Sequence, residues 1–182
     1  MKIAIIDVEA TCWDKPEEMV KNQNEVIEIG YTIVDNNRIV SSGDIYVKPS
    51  HSEVSPFCEK LTGITKQHLD KVGLSAREAY SKLNNVFSGV DAWASYGNYD
   101  KIILGKMENM NQVKINMPVT HYNVREMFAK KIEKNNDPKA APSNPKLSME
   151  KIGMKFIGRN HNGADDAKNI ALLFNKLNSE LK

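Results

Sequence analysis

Asp7 and Glu9 stand two residues apart at the end of the apolar run Ile3-Ala4-Ile5-Ile6. Side chains alternate along a strand, so Ile3, Ile5, Asp7 and Glu9 share one face, and Ala4, Ile6 and Val8 share the other. Two residues of strand separate the acids by roughly 7 Å at their Cα atoms, near enough to grip one cation. Two anions held that close at the end of a buried strand repel each other and need a metal, a proton or a basic partner. Oxygen donors of this kind suit Mg²⁺ or Mn²⁺ better than zinc. The alternative is that the pair merely marks where the strand leaves the core, and the strand by itself leaves both readings open.

Three more residues could join them. Asp100 follows an apolar run by way of Gly97 and Asn98, which puts it at the start of a helix, where an acid also suits the helix dipole. Asp166 falls in the first turn of the last helical segment. Four residues on is Ile170, so Asp166 lies near the buried stripe and needs a partner there. Its neighbour Asp165 is rotated toward solvent. His161 precedes Asp166 by five residues and has an unperturbed pKa near neutrality, which makes it the candidate general base. Strand ends in one sheet lie side by side, so these acids can meet in space.

The elements that must position them follow from pattern. Residues 2–13 read as the first strand and 14–24 as a loop or short helical turn. Residues 25–35 are apolar and β-branched and read as a central strand. Asp35-Asn36-Asn37-Arg38 is a hairpin turn signal, with 39–48 as the returning strand. Residues 49–72 carry short helices started by Ser55-Pro56 and Thr65 and ended by Gly63. A helix over 75–87 opens on the capping box Ser75…Glu78. A strand at 91–96, a helix over 99–107, a short strand at 119–122 and a helix over 124–132 come next. A proline-bearing loop over 135–146 precedes a short helix at 147–154 and a final helix over about 163–181. A hairpin followed by alternating helices and strands predicts an α/β three-layer fold with a mixed sheet.

Composition allows one domain of ordinary globular character: 182 residues, 41% apolar, 26% charged, net charge +2. That charge is too small to argue for nucleic-acid binding on its own. The two cysteines, Cys12 and Cys58, form neither a CxxC pair nor a zinc spacing. With no signal-peptide layout and no apolar run of membrane-spanning length, a cytoplasmic protein is expected.

The order Asp-x-Glu, Asp, His-x-x-x-x-Asp resembles the DEDDh 3′→5′ exonucleases of the ribonuclease-H-like superfamily. Five blocks extend the likeness to the ERI-like branch with its KapD-like bacterial members: DVEATCW at 7–13, NEVIEIG at 24–30, FCEKLTGIT at 57–65, ASYGNYDK at 94–101 and GRNHNGADDAKNIA at 158–171. One departure is Tyr96-Gly97, where relatives often carry Trp-Gly. The resemblance implies a single exonuclease domain over 1–182, with a five-stranded mixed sheet and helices on both faces.

It also implies a site. Asp7, Glu9 and Asp166 would hold one Mg²⁺ or Mn²⁺ directly, and Asp7 would reach a second ion with Asp100 acting through water. His161 would take the proton of the attacking water. The substrate would be the 3′ end of single-stranded RNA or DNA, with RNA favoured, and the product a nucleoside 5′-monophosphate. Ala10, Thr11, Cys12 and Trp13, the turn Leu61-Thr62-Gly63-Ile64 and Asn98 would wall the terminal-nucleotide pocket, with Trp13 or Leu61 stacking on a base. Lys130, Lys131 and Lys134, or Lys146, Lys151, Lys155 and Arg159, either track phosphates or form solvated faces. The competing reading is a catalytically silent nucleic-acid- or protein-binding module of the same fold. The intact set of mutually repelling acids counts against it. A P-loop enzyme is excluded because no GxxxxGK[ST] occurs.

Overall fold

The computed structural model describes residues 1–179. In chain order the elements are β1 (Lys2–Ala10), α1 (Pro16–Lys21), β2 (Val26–Asp35), β3 (Arg38–Tyr46), α2 (Pro56–Thr62), α3 (Lys66–Val72), α4 (Ala76–Phe87), β4 (Ala92–Ser95), α5 (Tyr99–Asn111), β5 (His121–Asn123), α6 (Val124–Lys131), α7 (Pro145–Lys151) and α8 (Gly163–Ser179). The sheet order is β3-β2-β1-β4-β5. β1, β2 and β3 are antiparallel neighbours, while β4 and β5 run parallel to β1. This is the mixed five-stranded sheet expected from the sequence.

The alternation in β1 divides the core as its pattern dictates. Ala4, Ile6 and Val8 pack against Tyr80, Leu83 and Phe87 of α4 and Ile103, Leu104 and Met107 of α5. Ile3 and Ile5 pack on the other face with Phe128 of α6, Met149 of α7 and Ile170, Leu173, Phe174 and Leu177 of α8. Each such large side chain contributes roughly 1.5–3 kcal/mol when fully buried, so both helical layers are held mainly by apolar area. Asp7 and Glu9 continue the Ile3–Ile5 face and therefore look toward α8.

Helix boundaries follow local chemistry. Ser55 accepts the Cys58 N–H to cap α2, and Gly63 ends it at φ +75°. Thr65 caps α3, and the Ser75–Glu78 box opens α4 with both reciprocal bonds formed. Three expectations need correction. β1 stops at Ala10, not Trp13. The ladder shifts register between Glu9 and Ala10, and Thr11 then exchanges bonds with Glu25, its N–H donating to the Glu25 carbonyl at 2.8 Å and its hydroxyl accepting the Glu25 N–H at 2.9 Å. The 135–146 stretch is not wholly loop: Pro138–Ala140 form a 3₁₀ turn capped by Asp137. α7 starts at Pro145, because Asn144 accepts the Leu147 N–H at 2.9 Å and proline suits the first helical position. The end of the predicted last helix, 180–181, lies outside the described residues. Among the described residues no helix is long and apolar enough to cross a membrane.

Candidate active site

Parallel β1 and β4 end on the same edge of the sheet, and this brings the Asp7–Glu9 segment and Asp100 together. Asp100, in the first turn of α5, turns back to accept the Val8 N–H at 3.0 Å through Oδ1. α8 enters on the Ile3–Ile5 face and carries Asp166 in its first turn. Ligand atoms of Asp7, Glu9 and Asp166 all lie within 4.8 Å of one another. With Asp100 and His161 they line a cleft of about 250 Å³, closed by Tyr96, Tyr99, Asn144, Pro145 and Asn160.

Glycine sets how closely α8 can approach. Gly30 sits opposite Asp7 on β2, and a Cβ there would lie 1.9 Å from the Gly163 carbonyl carbon. Helix start and sheet thus meet backbone to backbone. Glu28, opposite Glu9 on β2, fills the space beside them. Its carboxylate accepts the Gly163 N–H at 3.1 Å, the Ala164 N–H at 3.4 Å and the Asn162 amide at 3.4 Å, which anchors an acid on the helix N-terminus. Sequence reasoning missed this residue. Its signal was a lone acid inside the apolar strand Val26-Ile27-Glu28-Ile29.

The electrostatics are those of a cage of like charges. Burial, then Asp100, Asp166 and Glu9, push the Asp7 carboxyl well above the usual carboxylate range. Burial, then Asp166 and Glu28, push Glu9 up to about 8. Burial raises Asp100 and Asp166 to about 7 against the N–H groups that bond them. Asp166 is 4% exposed, and its two oxygens differ. Oδ2 accepts the His161 main-chain N–H at 2.8 Å, while Oδ1 is buried with no hydrogen-bond partner. A buried acceptor left unpaired costs roughly 1–3 kcal/mol. An all-carboxylate donor set, one of whose members keeps a buried unpaired oxygen, fits a hard divalent cation.

His161 holds φ +63°, a left-handed conformation fixed between the Asp166 bond and the helix start. Its Nδ1 is 3.9 Å from Glu9 Oε1. Burial and the Arg159 charge lower its pKa, which favours the neutral ring. A neutral imidazole has a ring nitrogen free to accept a proton.

The pocket residues separate by exposure. Leu61 and Cys12 are half-buried, and Asn98 and Gly63 are exposed. Ala10, Thr11, Thr62 and Ile64 are buried, and the Thr11 and Thr62 hydroxyls serve internal bonds to the Ser52 hydroxyl and the Cys58 carbonyl. Trp13 is only 6% exposed, which leaves little of its ring open for a base to stack on. Of the two tyrosines lining the cleft, Tyr96 is buried and Tyr99, directly before Asp100, is 51% exposed. Asp165, expected in solvent, accepts the Arg159 N–H at 2.8 Å. Lys151 pairs with Glu133 at 2.7 Å and Lys131 bonds the Leu177 carbonyl, so both lysine clusters are partly committed within the fold.

Comparison with known proteins points the same way. The family model described as Exonuclease (RNase_T) matches residues 4–174. The 3′-5′ exoribonuclease 1 of Rattus norvegicus is 33% identical over 183 residues, covering 93% of this chain and 50% of that protein. The ERI1 exoribonuclease 3 of Mus musculus is 31% identical over 95% of this chain and 52% of its own length. The chain thus spans about half the length of the curated relatives it matches. Among solved structures, the nuclease domain of 3′hExo, a DEDDh family member bound to rAMP, superposes with a TM-score of 0.84 at 26% identity, covering 99% of this chain and 92% of that one. Exonuclease I of E. coli, in complex with a dT13 oligonucleotide, shares the fold at a TM-score of 0.74 and 14% identity.

Proposed function

The chain belongs to the exonuclease (RNase_T) family, in its DEDDh, ERI-like branch, and from that premise we propose that it is a divalent-metal-dependent 3′→5′ exonuclease. The observation that carries this reading is the convergence of Asp7, Glu9 and Asp166 within 4.8 Å, with His161 and Asp100 in the same cleft. Residues 1–182 act as one exonuclease domain. The substrate is the 3′ end of single-stranded RNA, or of DNA, and the product is a nucleoside 5′-monophosphate. The free cysteines Cys12 and Cys58 suit a reducing cytoplasm.

Two Mg²⁺ or Mn²⁺ ions would supply charge neutralisation and Lewis acidity at the scissile phosphate. Asp7, Glu9 and Asp166 would hold the first, and Asp7 with Asp100 would serve the second. His161 accepts the proton of the attacking water, its ring kept neutral by burial and by Arg159. Tyr99 and Leu61 offer faces to the terminal base, a contact that tolerates any base identity. The buried residues Thr11, Thr62 and Ile64 shape the wall behind that nucleotide.

The test is a time course on 5′-labelled single-stranded RNA and DNA of one sequence, with Mg²⁺, Mn²⁺ or EDTA, and Asp7→Ala as control. A metal-dependent ladder shortening from the 3′ end, absent in the variant, is expected, with RNA the faster substrate. A 3′-phosphate should block it. Intact strands despite bound metal would overturn the nuclease reading in favour of a silent binding module.

A further inference from the structure

Arg159 occupies space that only a glycine leaves open. A Cβ built on Gly63 would lie 1.6 Å from Arg159 Nη1 and 2.6 Å from Cζ. The left-handed φ at the end of α2 already requires a residue such as glycine, but it does not require a guanidinium to fill the vacant side-chain position. Nη2 donates to the Lys60 carbonyl at 3.4 Å and the Leu61 carbonyl at 3.3 Å. These belong to the last turn of α2, where carbonyls lack helical partners and carry partial negative charge.

The other end of α2 is tied as well. The Ser55 hydroxyl that caps it donates to the Cys12 carbonyl at 2.5 Å. α2 is therefore a strut between the segment after β1 and the segment before α8. On the α8 side the Arg159 main chain is held by Asp165, and two residues later the His161 main chain is held by Asp166. One side chain thus joins the 61–64 turn to the loop that carries His161. Fixing a long arginine side chain costs rotamer entropy. Two long hydrogen bonds at an exposed site offset that only modestly, so stability alone gives little reason for the contact.

We propose that Arg159 is a positioning residue of the nuclease site: its guanidinium ties the terminal-nucleotide wall to the His161 loop, so that the bound nucleotide and the proton acceptor keep one relative placement. This inference rests on the exonuclease reading and adds to it a residue outside the Asp7, Glu9 and Asp166 cluster.

The test compares wild type, Arg159→Ala and Arg159→Lys by steady-state kinetics on a single-stranded RNA and by hydrogen exchange read by mass spectrometry. In Arg159→Ala, kcat should fall about 10–100-fold, the scale set by sub-ångström to ångström misplacement, with KM changing less than threefold and Mn²⁺ affinity unchanged. Lysine, a point donor without the planar fork, should not restore kcat, whereas guanidinium ion at non-denaturing concentration should restore part of it to the alanine variant. Peptides covering 57–64 and 157–163 should both exchange faster in the alanine variant, with β2 unaffected. Kinetics within twofold of wild type, full rescue by lysine, or faster exchange in only one of the two segments would each overturn the tie. Wild-type protein that shortens no strand would instead remove the exonuclease reading, an outcome separate from the exchange result.

Discussion

The His161 main-chain N–H donates to Asp166 Oδ2 at 2.8 Å, so the candidate base and a candidate metal ligand are two ends of one hydrogen-bonded turn. The bond uses one carboxylate oxygen and leaves Oδ1 buried without a hydrogen-bond partner. Because the bond comes from the backbone, it survives replacement of the imidazole. His161→Ala should lower kcat about 10²–10⁴-fold, the usual range for a general base, while Mn²⁺ titration by calorimetry gives wild-type affinity. Loss of metal binding in that variant would make the ring a ligand.

Asp7 is crowded by like charges. Burial and four nearby carboxyls, Asp100, Asp166, Glu9 and Glu28, raise its pKa. Asp7→Asn should abolish turnover and raise the melting temperature of the metal-free protein, because it removes a repelling charge from the cage without changing its shape. It should also abolish most of the stabilisation that saturating Mg²⁺ gives the wild type. Thermal scans with EDTA and with Mg²⁺ decide this.

The same cage sets a pH dependence. An acid whose folded pKa is raised stabilises the fold fully below its unfolded pKa near 4 and loses that contribution as pH rises through the folded value. For Asp100 and Asp166 that value is about 7, and for Glu9 about 8. Metal-free stability should therefore decline from pH 4 toward pH 8, by at most about 1.4 kcal/mol per pH unit for each group titrating independently. Saturating Mg²⁺ should flatten the slope. Glu25 works in the opposite sense. Burial opposes its ionisation, but hydrogen bonds from Ser50, His51 and Ser52 prevail and lower its pKa. Its contribution is present above the ordinary glutamate value and is lost on acidification through the lowered one. Urea midpoints from pH 3 to 8.5, with EDTA or Mg²⁺, measure both limbs.

Gly30→Ala tests whether α8 must touch the sheet. The new methyl would meet the Gly163 backbone at 1.9 Å, and backbone cannot step aside as a side chain can. Destabilisation of about 1–3 kcal/mol is expected from such overpacking, with a larger loss in activity as Asp166 is pushed off the cluster. Glu28→Ala should cost about 0.5–2 kcal/mol through its lost bonds to the α8 N-terminus. Urea denaturation compared with Mn²⁺ affinity separates the stability effect from the site effect.

Tyr99→Ala should raise KM for a single-stranded oligonucleotide about 5–150-fold, matching roughly 1–3 kcal/mol for one base stacked on an aromatic. Tyr99→Phe should stay near wild type. Unchanged KM in the alanine variant would leave Leu61 as the principal stacking face.

The sequence by itself determined the elements, the two faces of β1 and the identity of the acids. Strand alternation needs only neighbouring residues, and the split of Ile3 and Ile5 from Ala4, Ile6 and Val8 between two cores follows from it directly. Caps at Ser55, Thr65 and Ser75 were legible for the same reason, since each bonds a donor three residues away. Distances across the sheet were not. Only tertiary structure put Asp166 within reach of Asp7, because that approach depends on two glycines, Gly30 and Gly163, far apart in sequence and meeting backbone to backbone. It also decided exposure, turning Trp13 inward and leaving Tyr99 at the cleft, and it enlisted Glu28 and Arg159. Local pattern tells which face of a strand or helix a residue occupies. Which other element covers that face, and how closely, is set by the packing of the whole chain.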